Sequence, residues 1–144
     1  MASAERILVP YDGSELAQQA LEYTIDRHPD AAITLLYVVD SRLEHPPARN
    51  IEDTNLETLF SQRENEAKDL LTEAVTAVES YDGEIDTDID YGLVSKVIES
   101  YVEDNDIDHI VIGSHGRTGI DRLLLGSIAE KTVRRAPVPV TVIR

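Results

Sequence analysis

Ile110-Val111-Ile112-Gly113-Ser114-His115-Gly116-Arg117-Thr118-Gly119-Ile120-Asp121-Arg122-Leu123-Leu124-Leu125-Gly126-Ser127 runs from three apolar, β-branched residues through a glycine-rich loop to Ser127. The apolar triplet reads as a buried strand. Ser127-Ile128-Ala129-Glu130 reads as a capping box, with Ser127 capping a helix that continues to about Arg135. Pro137 stops that helix. A strand passed through glycines to a helix is the working unit of an α/β fold.

The same alternation extends outward in both directions. Towards the N-terminus, Val94, Val97, Ile98, Tyr101 and Val102 mark one face of a helix. Ile85, Thr87, Ile89 and Tyr91 alternate with Asp86, Asp88 and Asp90, a strand with one wet face. The three aspartates lack the glycine and late glutamate of a calcium loop, so they read as the solvated side of an edge strand. Leu56, Leu59, Phe60, Ala67, Leu70, Leu71, Ala74 and Val78 mark a long amphipathic helix closed by Tyr81-Asp82-Gly83. Residues 40–52, with Pro46-Pro47, are irregular; loops of this length tend to be functional or mobile. Ile33 to Val39 is continuously apolar, as in a central strand covered on both faces. Ala17, Ala20, Leu21, Thr24 and Ile25 form a helical face behind the cap Ser14, and His28-Pro29-Asp30 closes it. Ile7-Leu8-Val9, ended by Pro10, is the first strand. Towards the C-terminus, Val138 to Ile143 is the last, placed at an edge because Pro139 cannot donate to a ladder.

The order β-α-β-α-β-α-β-α-β predicts one α/β domain over residues 1–144, a doubly wound five-stranded parallel sheet with helices on both faces. A strand order of 3-2-1-4-5 would put the switch point between the first and fourth strands, where ligands bind at the carboxyl ends. The loop Pro10-Tyr11-Asp12-Gly13 would then face the glycine-rich loop. Asp12 there either accepts hydrogen bonds from a ribose or adenine edge or simply forms the turn beside Gly13.

Composition narrows the function. The chain has 144 residues, no cysteine and a formal net charge of -15. Disulfides, thiolate zinc sites and cysteine nucleophiles are excluded. So acidic a chain repels phosphate backbones, which argues against nucleic acid and anionic membranes as partners. No apolar stretch approaches the roughly 18 residues of a membrane span. Met1 to Arg6 has no basic segment leading to an apolar one, so no secretory signal is expected and the cytoplasm is the expected compartment. Lysine is scarce beside arginine, three residues against ten. An acidic, lysine-poor surface suits high salt, where screening removes self-repulsion; an ordinary acidic protein has the same composition.

The charge is unevenly spread. Residues 1–112 hold 7 basic and 26 acidic side chains, whereas residues 113–144 hold 6 basic and 2 acidic. Lys131, Arg134 and Arg135 are explained by the negative end of a helix dipole, but Arg117 and Arg122 are not. Around them, four glycines in fifteen residues let backbone N–H groups turn towards a ligand. The helix opened by Gly126-Ser127 favours an anion at its start. Thr118 and Ser127 add hydroxyls and Arg117 a charged fork, a set suited to a phosphate chain. Walker A and dinucleotide-binding glycine patterns are both absent. His115 reads as a loop histidine. His28, His45 and His109 sit beside prolines or acids without ligand spacing and receive no role.

Taken together these segments resemble the universal stress protein family over essentially the whole chain. Ile7-Leu8-Val9-Pro10-Tyr11-Asp12-Gly13-Ser14 is similar to its first strand and loop. Gly113-x2-Gly116-x9-Gly126-Ser127 matches its ATP-binding signature, and Ala136-Pro137-Val138-Pro139-Val140-Thr141-Val142 resembles its last strand. The resemblance implies an adenine-nucleotide alpha-hydrolase-like fold, a homodimer through Val138 to Ile143, and ATP accompanied by magnesium or manganese. By position, Pro10, Asp12 and Val38 or Val39 would surround the adenine. Gly113 and Gly116 would lie along the ribose and first phosphates. Arg117, Gly126, Ser127 and Ile128 would hold the outer phosphates. The implied function is ATP-dependent conformation or partner binding in stress response. With no evident base to orient a water, fast hydrolysis is not expected. A slow ATPase or phosphotransferase using His115 or Asp12, and a nucleotide-free dimeric scaffold, are the alternatives.

Overall fold

Ile7, Leu8 and Val9 are all fully buried, although successive strand side chains point to opposite faces. Helices must therefore cover both sides of this strand. In the computed structural model, which describes residues 4–41, 56–115 and 125–144, they do. The chain alternates β1 (Arg6–Pro10), α1 (Glu15–Arg27), β2 (Ala32–Asp40), α2 (Leu56–Ala77), β3 (Glu84–Gly92), α3 (Val94–Asp104), β4 (His109–Gly113), α4 (Ser127–Arg135) and β5 (Val140–Ile143). The strands form one sheet in the order β3-β2-β1-β4-β5, with every pairing parallel. The expected doubly wound topology is the observed one.

Two apolar layers sandwich the sheet. On one face Ile7, Val9, Ile33, Leu35, Tyr37 and Val111 pack with Ala17, Ala20 and Leu21 of α1 and Ala67, Leu71 and Ala74 of α2. On the other, Leu8, Leu36, Ile110 and Ile112 pack with Ile98 and Val102 of α3. Burying these side chains on both faces supplies the main drive for folding, each isoleucine, leucine or valine worth about 1.5–3 kcal/mol. β2 is covered on both faces, with Leu35 and Tyr37 in one layer and Leu36 in the other, which accounts for its uninterrupted apolar run.

Both outer strands lie at the edges as expected, although the last begins at Val140, two residues after the expected Val138, leaving Pro139 outside it. β3 turns Ile85 and Ile89 towards α2. Its aspartates lie on the opposite face: Asp88 Oδ2 accepts the Tyr101 hydroxyl of α3 at 2.9 Å, while Asp88 and Asp90 also accept the backbone N–H of Ile89 and Tyr91. β5 pairs with β4 alone, and the Pro139 carbonyl accepts Ile110 N–H at 3.0 Å just before the strand begins. The long loop expected over residues 40–52 falls almost wholly outside the described residues. Among the described residues, no helix is long and apolar enough to cross a membrane.

Candidate functional site

The carboxyl end of β1 leads directly into α1 through a network of local bonds. Tyr11 N–H donates to Leu36 O at 2.8 Å, tying the turn to β2. Asp12 Oδ1 accepts Ser14 N–H at 2.9 Å, and Ser14 Oγ accepts Ala17 N–H at 3.2 Å, so Ser14 is the helix cap that its position predicts. Gly13 between them has φ +81°, and a side chain there would meet Leu70 of α2 at 2.9 Å. Asp12 thus does form the turn, and it does so half-buried at the end of β1, on the crevice between β1 and β4.

The carboxyl end of β4 forms the other wall. Ser114 is buried, and it ties three elements together. Its N–H donates to Ile143 O of β5 at 2.7 Å, and its carbonyl accepts Gly126 N–H at 2.7 Å. Its hydroxyl pairs with His115 Nδ1 at 3.1 Å. Sequence reasoning assigned Ser114 no part; its only signal was its place inside the Gly-x2-Gly spacing. A Cβ on Gly126 would lie 2.7 Å from Ser114 O, and one on Gly113 would lie 2.9 Å from Leu16 Cβ. Both glycines are therefore required by close packing, which docks the start of α4 and the side of α1 onto the end of β4.

The expected capping box at Ser127 does not form. Gly126 is the cap of α4, with no side-chain cap bond, and Glu130 N–H makes the first intrahelical bond to Gly126 O at 2.9 Å. Glu130 instead holds Arg134 at 2.6 Å along the exposed helix face. The reason is tertiary: Ser114 fixes Gly126 one residue earlier than the sequence pattern would start the helix. As a result, the amides of Ser127, Ile128 and Ala129 precede the first intrahelical bond, and the Ser127 side chain is exposed.

Of the other expected site residues, Pro10 is half-buried at the end of β1, opposite Leu36 in register. Val38 and Val39 therefore extend beyond β1 on β2. Val39 is buried in the α1/α2 layer, whereas Val38 is half-buried against the layer that α3 covers. Ile128 is 39% exposed on α4. Gly116, Arg117, Thr118 and Arg122 lie outside the described residues.

This geometry belongs with a recognisable set of proteins. The pattern of the Universal stress protein family matches residues 3–144. The chain belongs to the universal stress protein family. It is 31% identical over 143 residues to universal stress protein MJ0531 of Methanocaldococcus jannaschii, covering 97% of this chain and 82% of that one. It is 30% identical to universal stress protein MJ0577 of the same organism, covering 97% and 94%. The solved structure of universal stress protein UspA from Lactobacillus plantarum superposes with a TM-score of 0.83 at 34% identity over the whole of both chains. More distant structures of the same fold, at 16% and 18% identity, are a universal stress protein in complex with cAMP and one from Archaeoglobus fulgidus in complex with dAMP. The fold of this universal stress protein is the adenine-nucleotide alpha-hydrolase-like one expected for it.

Proposed function

We propose that this universal stress protein binds ATP in the crevice between the carboxyl ends of β1 and β4, and that the bound state sets its conformation and partner choice in a stress response. The observation that carries the reading is the start of α4. Three amides and an exposed Ser127 hydroxyl stand free of intrahelical bonding there, held in place by Gly126 N–H on Ser114 O. Such a helix start binds phosphate through its N–H groups and its dipole. Gly113, Gly126, Ser127 and Ile128 would follow the phosphates, joined by Gly116 and Arg117. Pro10 and Asp12 would meet the nucleoside. Val38 suits an adenine wall better than Val39, whose side chain is committed to the core. Magnesium or manganese would arrive bound to the phosphates and neutralise part of their charge.

The parallel edge strand β5 is the element that would pair with a second copy in a homodimer. An unpaired edge is a ready template for such addition. A slow ATPase is the second reading, favoured by His115, whose ring is held by Ser114 beside Gly126.

Calorimetric titration of nucleotide-stripped protein with Mg-ATP tests the proposal. Saturable binding is expected, weakened about tenfold or more by Ser127→Ala, the loss of a hydrogen bond to a charged group. Mass spectrometry of ligand released from freshly purified protein should show an adenine nucleotide. The absence of saturable binding would leave only the dimeric scaffold. Multiple-turnover phosphate release abolished by His115→Ala would establish the enzyme instead.

A further inference from the structure

At the end of the sheet opposite the nucleotide crevice, three side chains distant in sequence converge. Glu5 precedes β1, His28 caps the C-terminus of α1, and His109 opens β4. Glu5 Oε1 lies 3.1 Å from His28 Nδ1 and 3.7 Å from His109 Nδ1. The two imidazoles stand edge to face with centroids 5.5 Å apart, and one ligand atom from each of the three residues falls within 4.8 Å of the others. Among the described residues no other such group of three occurs. Histidine spacing in the sequence showed none of this.

We propose that Glu5, His28 and His109 form a binding site for a divalent transition metal such as zinc or nickel, with water completing the coordination. Two imidazoles and a carboxylate suit these ions, whereas magnesium and calcium prefer oxygen alone. Metal–ligand bonds of about 2.0–2.1 Å in a tetrahedron set ligand atoms about 3.3 Å apart, and 3.1 and 3.7 Å bracket that value. A supporting contact is already present: His109 Nε2 pairs with Thr141 Oγ1 of β5 at 2.8 Å. With Nε2 donating to Thr141, Nδ1 turns its lone pair towards Glu5, the orientation a metal ligand needs. His28 lies at the C-terminus of α1, whose negative dipole end favours a cation. The side chains of His28 and His109 are 26% and 15% exposed, so the site is shielded yet reachable. The bound ion would clamp β1, α1 and β4 together, and with them β5 through Thr141.

The test is calorimetric titration of untagged, chelator-stripped and nucleotide-free protein with zinc chloride, with magnesium chloride in parallel. One saturable zinc site per chain is expected, unaffected by excess magnesium. His28→Ala and His109→Ala should each weaken it at least about tenfold, and Thr141→Val about tenfold through loss of the orienting contact. His45→Ala and His115→Ala should leave it unchanged, which separates this site from the nucleotide site. No saturable zinc binding, or binding untouched by His28→Ala and His109→Ala, would reduce the cluster to a hydrogen-bonded group. Should those variants fail to fold, zinc-soaked crystals of the unaltered protein decide. An anomalous peak between the two imidazoles supports the site, and its absence there overturns it.

Discussion

Two serines at helix starts look alike in sequence and behave differently. Ser14 caps α1 with its own hydroxyl, whereas Ser127 has already entered the first turn of α4 and leaves the cap to Gly126. The difference separates stability from function. Ser14→Ala should lower unfolding free energy by about 1 kcal/mol, since a cap bond is lost. Ser127→Ala should change it by less than about 0.5 kcal/mol, as an exposed side chain without a cap bond. Urea unfolding of the two variants checks this: equal losses would mean that Ser127 supports its helix after all.

At the scale of elements, α3 covers β3 only in part, and Tyr101 marks where they meet. Burial and the hydrogen bond to Asp88 push its phenol up to about 12 from the usual 10.0. Burial likewise raises Tyr11 and Tyr81, and a hydrogen bond to Glu64 raises Tyr91. A hydroxyl harder to ionise in the folded state contributes stability that is complete below about pH 10. That contribution falls away as the pH rises through the folded value. Urea midpoints should therefore drop between about pH 10 and 12, and Tyr101→Phe should flatten the upper part of that drop. In a tyrosinate absorbance titration of folded protein, the same variant should lack the last step; a titration identical to that of the unaltered chain would remove Tyr101 from this role.

Across the whole molecule, the net charge of -15 sets 28 acidic side chains against 13 basic ones. Asp86 and Asp88 are exposed on the face of β3 away from α2, and Glu64 and Lys68 line a groove between that strand and α2. Lys68 already pairs with Glu64 at 3.5 Å. Such self-repulsion is relieved by salt, because the screening length falls from about 10 Å at 0.1 M to about 3 Å at 1 M. Thermal unfolding should rise by about 3 °C or more between those concentrations of potassium chloride, equivalent to about 1 kcal/mol at this size. A melting temperature independent of salt would show that the acids are too far apart to matter.

The strands and helices were legible in the chain because their signals are local. The apolar run of Ile33 to Val39, the alternation through Asp86, Asp88 and Asp90, and the helical spacing of Val94 to Val102 each depend on neighbours a few residues away. Doubly wound topology followed, since continuous apolar strands must be covered on both faces. The glycines and Ser127 of the candidate site were visible as well, but the use of each was not. That Gly126 caps α4 depends on Ser114 reaching it across the glycine-rich loop. That Leu16 fills the space beside Gly113 depends on how α1 packs on β4. The meeting of Glu5, His28 and His109 depends on which strands lie side by side. Local periodicity determined the elements and their order; only the tertiary structure decided which backbone groups are left free for a ligand and which distant side chains share one place, because those outcomes are set by packing between segments that sequence spacing does not encode.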